Sequence, residues 1–174
     1  QFPKSKIAKR SSIKLGEIYF RKADYEKMIE LYNGLVNAEP NYFGNDRLVL
    51  RIAQAYFNNG NYLDASDWFL QLIKDYPTSA LARKAYFGKA KSEELAQYFD
   101  RAIQSYEQFV VQYPDHPRVD FILYQIGLMY MTQGKYEEAV ETFDRLREKF
   151  IVSDYRYAAL VEIGRAYRAI AASD

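Results

Sequence analysis

Residues 114–150 read PDHPRVDFILYQIGLMYMTQGKYEEAVETFDRLREKF, and this stretch decides the fold. Apolar side chains recur at three- and four-residue spacing in both halves: Ile126, Met129 and Tyr130 in the first, then Ala139, Val140, Phe143 and Leu146 in the second. That is the period of one helix face, whereas a half-buried strand would alternate at every second residue. Between the halves stands Gly134, followed by Lys135-Tyr136, where a left-handed glycine ends one helix at little steric cost. Pro114 cannot continue a preceding helix. The stretch is therefore predicted to be a pair of helices.

Moving outward, the pattern returns every 37 residues. Pro3, Pro40, Pro77 and Pro114 keep this interval, and a fifth step reaches Ile151, where the register continues without the proline. Gly16, Ala53, Ala90, Gly127 and Gly164 form a column of small residues, as needed where two helices approach closely. Three residues later stand Tyr19, Tyr56, Glu93, Tyr130 and Tyr167, aromatic with one exception. The second half of the unit repeats as Tyr25, Tyr62, Phe99 and Tyr136, then Met28, Ala65, Ala102 and Ala139. Tyr32, Phe69, Tyr106 and Phe143 follow, and after them Leu35, Leu72, Phe109 and Leu146. A fixed period of this length marks a stacked repeat array, each unit burying its apolar face against the next. Ser5, Ser79 and Ser153 are placed to cap the first helix of a unit, and His116, followed by Pro117, occupies the same column. Gly60 repeats the turn glycine, but Gln97 stands in that place in the third unit, whose turn is expected to be strained or different.

Composition narrows the function. The chain has 174 residues, 49% of them hydrophobic, which is enough for a continuous core. Lys plus Arg number 24 and Asp plus Glu 23, so a net charge of +1 argues against a binder of polyanions, and no nucleic-acid partner is expected. The absence of cysteine removes disulfide scaffolds, thiol nucleophiles and Cys-ligated zinc, and the single histidine, His116, removes a His-rich metal site. No stretch approaches the roughly 18 to 20 apolar residues of a membrane-spanning helix. The chain opens at Gln1 without a methionine and is expected to be a piece of something longer, so a targeting signal is not visible in it.

These columns resemble the tetratricopeptide repeat: a small residue, an aromatic three later, a small residue nine after that, an aromatic four later and a proline eight beyond. Ala53, Tyr56, Ala65, Phe69 and Pro77 fit it, as do Gly127, Tyr130, Ala139 and Phe143. The usual unit of that family has about 34 residues; the three extra here are expected to lengthen the start of each first helix. The family's third small position is taken by Leu35, Leu72, Phe109 and Leu146. The longer unit is similar to that of bacterial cell-envelope proteins, notably outer-membrane-assembly lipoproteins of the BamD type and periplasmic TolA-binding proteins of the CpoB type. Tyr113-Pro114-Asp115-His116-Pro117, followed by Asp120-Phe121, Tyr124 and Gly127-Leu128, carries the likeness to the BamD type. The resemblance implies an all-α, right-handed superhelical solenoid of antiparallel helix pairs, a single array over 1–174. Its units would run over about 3–39, 40–76, 77–113 and 114–150, with the first helix of a fifth at 151–171. It also implies a periplasmic or cell-envelope setting in a bacterium and, through parts beyond this chain, peripheral association with a membrane.

In such solenoids the first helices line a concave surface that holds a partner segment. The family's groove positions fall on Arg10, Ile13, Glu17 and Phe20, then Arg47, Leu50, Gln54 and Phe57, then Lys84, Phe87, Lys91 and Glu94. The fourth unit gives Phe121, Tyr124, Leu128 and Met131, and the fifth Ala158, Val161, Arg165 and Arg168. An aromatic floor with cations at one end suits an apolar or amphipathic protein segment carrying some acidic residues. The competing reading makes Phe87, Phe121 and Tyr124 packing between units. The family's clamp for chaperone tails is absent, since Ile13, Leu50 and Phe87 stand where its basic residues would sit. Residues 1–22 hold seven Lys or Arg and one Glu, a local charge of +6 that either steers an acidic partner or lipid headgroup or is a solvated helix face. The closing helix, with Val161, Ile163 and Ile170, has little polar capping face, so either a missing partner helix or self-association is expected.

Catalysis finds no support. His116 and Asp120 are expected to cap and pack; the pairs Glu93-Glu94 and Glu137-Glu138 diverge on a helix; and no Gly-rich phosphate loop or Gly-x-Ser-x-Gly elbow is present. No cofactor is expected. The sequence thus predicts a non-catalytic interaction scaffold holding a segment of another envelope protein, with the recruiting portion of a larger envelope enzyme or polysaccharide-handling complex as the alternative.

Overall fold

A computed structural model describes residues 6–40, 42 and 44–172. The described residues form the helices α1 (Lys6–Arg21), α2 (Tyr25–Ala38), α3 (Asn45–Asn58), α4 (Tyr62–Asp75), α5 (Ala82–Leu95), α6 (Phe99–Gln112), α7 (Val119–Thr132), α8 (Tyr136–Lys149) and α9 (Asp154–Ala171), and no strand. Second helices begin at Tyr25, Tyr62, Phe99 and Tyr136, and α3, α5 and α7 at Asn45, Ala82 and Val119, so the 37-residue period of the sequence is the period of the structure. Pro3 and Ser5, the first members of the proline and capping columns, lie outside the described residues. Two compact units result, Gln1–Ser105 and Tyr106–Asp174, divided within α6.

Each unit is held by rings seated where a neighbouring helix has no side chain. A Cβ at Gly16 would lie 2.0 Å from Cε1 of Tyr32, and one at Gly127 would lie 2.3 Å from Cε1 of Phe143. At Gly16 and Gly127 the column is therefore small because the second helix of the same repeat fills its space with a ring. Tyr32 is buried, and its hydroxyl donates to the carbonyl of Ile13 at 2.8 Å. Burial pushes this phenol far above its ordinary range, with the charge of Glu17 adding to the effect. Around Tyr32, unit 1 buries Met28, Leu35, Ile52, Ala65, Phe69 and Leu72; unit 2 buries Phe143 with Ile122, Ile126, Leu146 and Ala159.

The turn inside every repeat is the same. The N–H groups of Asp24, Asn61, Tyr98 and Lys135 donate back to the carbonyls of Tyr19, Tyr56, Glu93 and Tyr130 at 2.9–3.0 Å, the 6→1 closure that follows a left-handed residue. Gly60 and Gly134 supply that residue with φ 82° and 73°, while Ala23 and Gln97 adopt it at 57° and 63°. The turn at Gln97 is therefore not a different one; it follows the same path and bears the Cβ penalty that glycine avoids.

Junctions between repeats also recur. Ser79 Oγ accepts from the Leu81 N–H and donates to Asp46 at 2.6 Å; Ser153 Oγ accepts from the Tyr155 N–H and donates to Asp120 at 2.6 Å. His116 Nδ1 accepts from the Arg118 N–H at 3.2 Å, while its ring meets Phe109 edge-on. Ser153 is the N-cap of α9, but α5 and α7 are preceded directly by Leu81 and Arg118. Ser79 and His116 thus close a turn ahead of the helix instead of capping it. That turn absorbs the extra residues: α3, α5 and α7 have 14 residues each, and only α1 and α9, with 16 and 18, are longer. At the first junction Lys9 lies 3.3 Å from the centroid of Tyr42 and 2.8 Å from Glu39. It is buried, so the reading of the basic N-terminal stretch as a solvated face fails at this residue.

Candidate functional site

Two of the cavities in unit 1, of about 370 and 400 Å³, share Arg51, Gln54 and Lys84 in their walls. Phe20, Phe57, Lys84, Phe87, Lys91 and Gln54, all projected from the sequence, line the first. Ile13, Glu17, Arg47 and Leu50 line the second. Leu50 contributes only an edge, since it is otherwise buried. Arg10 is exposed and lines neither cavity.

Local sequence fixes the floor. Phe20 and Phe57 are the last aromatic positions of α1 and α3, and each ring stands edge-on to the first residue of the next helix, Tyr25 at 5.7 Å and Tyr62 at 5.5 Å. The turn that brings those residues together is the repeated one, so both phenylalanines are held in one pose. Phe69 reaches the cavity because α5 has Gly88 opposite it, where a Cβ would lie 2.5 Å from Cζ. Arg51 spans the groove between helices: Nε and Nη2 donate to Glu17 at 2.9 and 3.1 Å, Nη1 donates to Gln54 at 3.1 Å, and the guanidinium stacks 4.9 Å from the Phe20 centroid. It is committed on every side and acts as part of the wall. Lys91 is held by Glu94 at 2.6 Å. Arg47 and Lys84 are exposed and carry no side-chain ion pair among the described residues. The site therefore offers a ring-lined pocket and two cations available to an incoming carboxylate.

Sequence projection missed Arg51, Asn58, Phe69 and Gly88. Arg51 and Asn58 were legible in principle, since they stand four and eleven residues after Arg47 on the same helical face. Gly88 and Phe69 were not, because their relation crosses from one repeat to the next.

In unit 2 the projected aromatics are half-buried and meet other rings. Phe121 and Tyr124 each stand 5.5 Å from the ring of Tyr155, and Tyr124 lies 5.8 Å from Phe143. These aromatics join α7 to α8 and α9, which is the packing reading. Burial raises the Tyr124 phenol, and Glu162 adds to the shift while Arg165 opposes it. Leu128 and Met131 are half-buried on α7. On α9, Val161, Arg165 and Arg168 are exposed, with Arg165 paired to Glu162 at 2.7 Å. Among the described residues no cluster of three His, Asp or Glu is placed to hold a metal, and no helix is long and apolar enough to cross a membrane.

A family model described as "Outer membrane lipoprotein" (YfiO) matches residues 44–135, more than half of the chain. The chain belongs to the outer membrane lipoprotein family. Tetratricopeptide-repeat models match residues 10–42, ahead of that stretch, and 122–150, overlapping its end, so this family member is built of tetratricopeptide repeats, a scaffold for protein interaction. The outer membrane protein assembly factor BamD of Neisseria gonorrhoeae is 30% identical over 83 residues, which cover 48% of this chain and 31% of the relative. The match thus spans about a third of that protein's length. Among solved structures, MamA superposes with a TM-score of 0.68 at 21% identity, covering 93% of this chain and 82% of its own. A tetratricopeptide repeat protein from Parabacteroides merdae superposes with a TM-score of 0.71 at 16% identity, covering 91% and 59%. At these identities the superpositions show the fold alone.

Proposed function

We propose that the unit 1 groove holds an apolar or amphipathic segment of a partner protein, and that the chain serves as a non-catalytic scaffold in outer-membrane protein assembly in the bacterial cell envelope. The observation that carries this is the division of labour in the groove. Phe20, Phe57 and Phe87 offer ring surface beside Arg47 and Lys84, which form no side-chain ion pair among the described residues. Desolvated rings supply contact area, and cations at the rim select segments carrying carboxylates. Family membership and the likeness to the BamD assembly factor support the envelope setting.

Photocrosslinking in the native cell tests it. A crosslinker at Phe57 or Phe87 should capture a recurrent envelope protein, while one at Asp64, exposed at the start of α4, should not. Capture of the same proteins from all three positions, or of this chain alone, would overturn the proposal.

A further inference from the structure

One layer of the core joins four polar residues at positions that are aliphatic or aromatic in the other repeats, Thr142 excepted. The carboxylate of Glu93 is fully buried on α5 and accepts hydrogen bonds from Ser66 on α4 at 3.1 Å, from Lys89 at 3.0 Å and from Ser105 on α6. Arg101, at the edge of the same layer, approaches it at 3.2 Å. Lys89 also donates to Ser105, closing the network. The columns make this a concerted change. Elsewhere the Glu93 position is Tyr19, Tyr56, Tyr130 and Tyr167, and the Lys89 position is Leu15, Ile52, Ile126 and Ile163. The Ser66 position is Ile29, Ile103 and Val140, and the Ser105 position is Leu31, Trp68 and Thr142.

A buried carboxylate surrounded by donors is poor value for stability, because the ions lose their water and an apolar layer of equal volume serves as well or better. What it does supply is identity. Repeats that share one period and one set of packing columns can pair with the wrong neighbour, in the same chain or in a second copy, and keep most of their apolar contacts. A helix carrying Lys89 and Glu93 cannot do so without cost: against any other pair of helices here it would meet Ile or Val at the Ser66 position and Leu, Trp or Thr at the Ser105 position, which leaves both charges short of partners. We propose that the Ser66–Lys89–Glu93–Ser105 layer is a register key that restricts α5 to α4 and α6 as neighbours and so suppresses exchange of repeats between copies.

The test replaces the layer with residues from the chain's own columns: Ser66→Ile, Lys89→Ile, Glu93→Tyr and Ser105→Leu. After refolding from urea, size-exclusion chromatography should show a dimeric or larger fraction at least about tenfold above that of the unmodified chain, with a urea midpoint no lower than before. A variant that refolds as monomer in the same yield overturns the proposal, and so does one whose midpoint falls, since the layer would then be needed for stability and not for pairing. Should the fourfold variant be insoluble, Lys89→Ile/Glu93→Tyr, which keeps both serines, is read by the same two measurements. Glu93→Gln is the control: it leaves Lys89 without its charge partner and should lower the midpoint while the chain stays monomeric.

Discussion

Alanine at Gly127 and at Gly164 should act in opposite directions, although both glycines belong to one sequence column and both lie inside helices. Either substitution removes glycine's conformational penalty in a helix, a gain of about 1 kcal/mol. At Gly164 a Cβ meets nothing within 4 Å, so that gain stands alone. At Gly127 it would lie 2.3, 2.6 and 2.7 Å from three carbons of Phe143. Carbon contacts settle near 3.5–4.0 Å, so the ring must withdraw by about 1 Å or more. It has nowhere to go, being fully buried, with Tyr124 5.8 Å away and Leu146 buried beside it. Overpacking of this kind costs about 1–3 kcal/mol, and the cost approaches the about 3–5 kcal/mol of a lost phenylalanine if the ring is expelled. With the helix gain subtracted, Gly127→Ala should destabilise by up to about 2 kcal/mol if the ring stays and by about 2–4 kcal/mol if it is expelled, whereas Gly164→Ala should stabilise by up to about 1 kcal/mol. Urea denaturation followed by far-ultraviolet circular dichroism separates the two, and Phe143→Leu added to Gly127→Ala should recover part of the loss. Shifts of the same sign at both positions, or a Gly127→Ala midpoint equal to that of the unmodified chain, would refute the claim that the column is small because a ring fills it.

Ala23→Gly and Gln97→Gly should each raise stability: the left-handed conformation costs a non-glycine residue about 1–2 kcal/mol, partly offset by the greater freedom of glycine when unfolded, so about 0.5–1 kcal/mol is expected at each site in the same denaturation assay. Ser153→Ala removes both the cap of α9 and the bond to Asp120 and should cost about 1–2 kcal/mol, with a double-mutant cycle against Asp120→Ala returning a coupling near 1 kcal/mol. Tyr32 has a phenol raised above its unfolded value, so its contribution is complete below about pH 10 and is lost as pH rises beyond it. The urea midpoint should therefore fall from pH 9 to 11.5, and the fall should be shallower in Tyr32→Phe; an unchanged slope would mean that this burial does not set the alkaline limit.

Much of the fold was legible because its decisive contacts lie within one 37-residue unit. Gly127 and Phe143 are 16 residues apart, as are Gly16 and Tyr32, so the pairing of small residue and ring is written twice in the sequence at fixed spacing. The turn was legible for the same reason, down to the position where Gln97 takes the place of a glycine. The groove was legible only as a face. Which cations on it remain available depends on partners that no local pattern announces: Arg51 is held by Glu17 from the preceding repeat, Lys91 by Glu94, and Arg10 falls outside the cavities altogether. That Phe121 and Tyr124 both meet the ring of Tyr155 is likewise not announced by any local pattern.

Glu93 marks the limit most clearly. In the sequence it is one break in a tyrosine column, and Ser66, Lys89 and Ser105 are three unremarked polar residues. The sequence by itself determined the period, the helix pairs, the turns and the columns, since each follows from helical spacing and from the steric demands of glycine, proline and aromatic rings. Only the tertiary structure joined four polar residues from three helices into one buried network and left Arg47 and Lys84 open, because the free energy of a charge is set by what surrounds it in space and not by its neighbours along the chain.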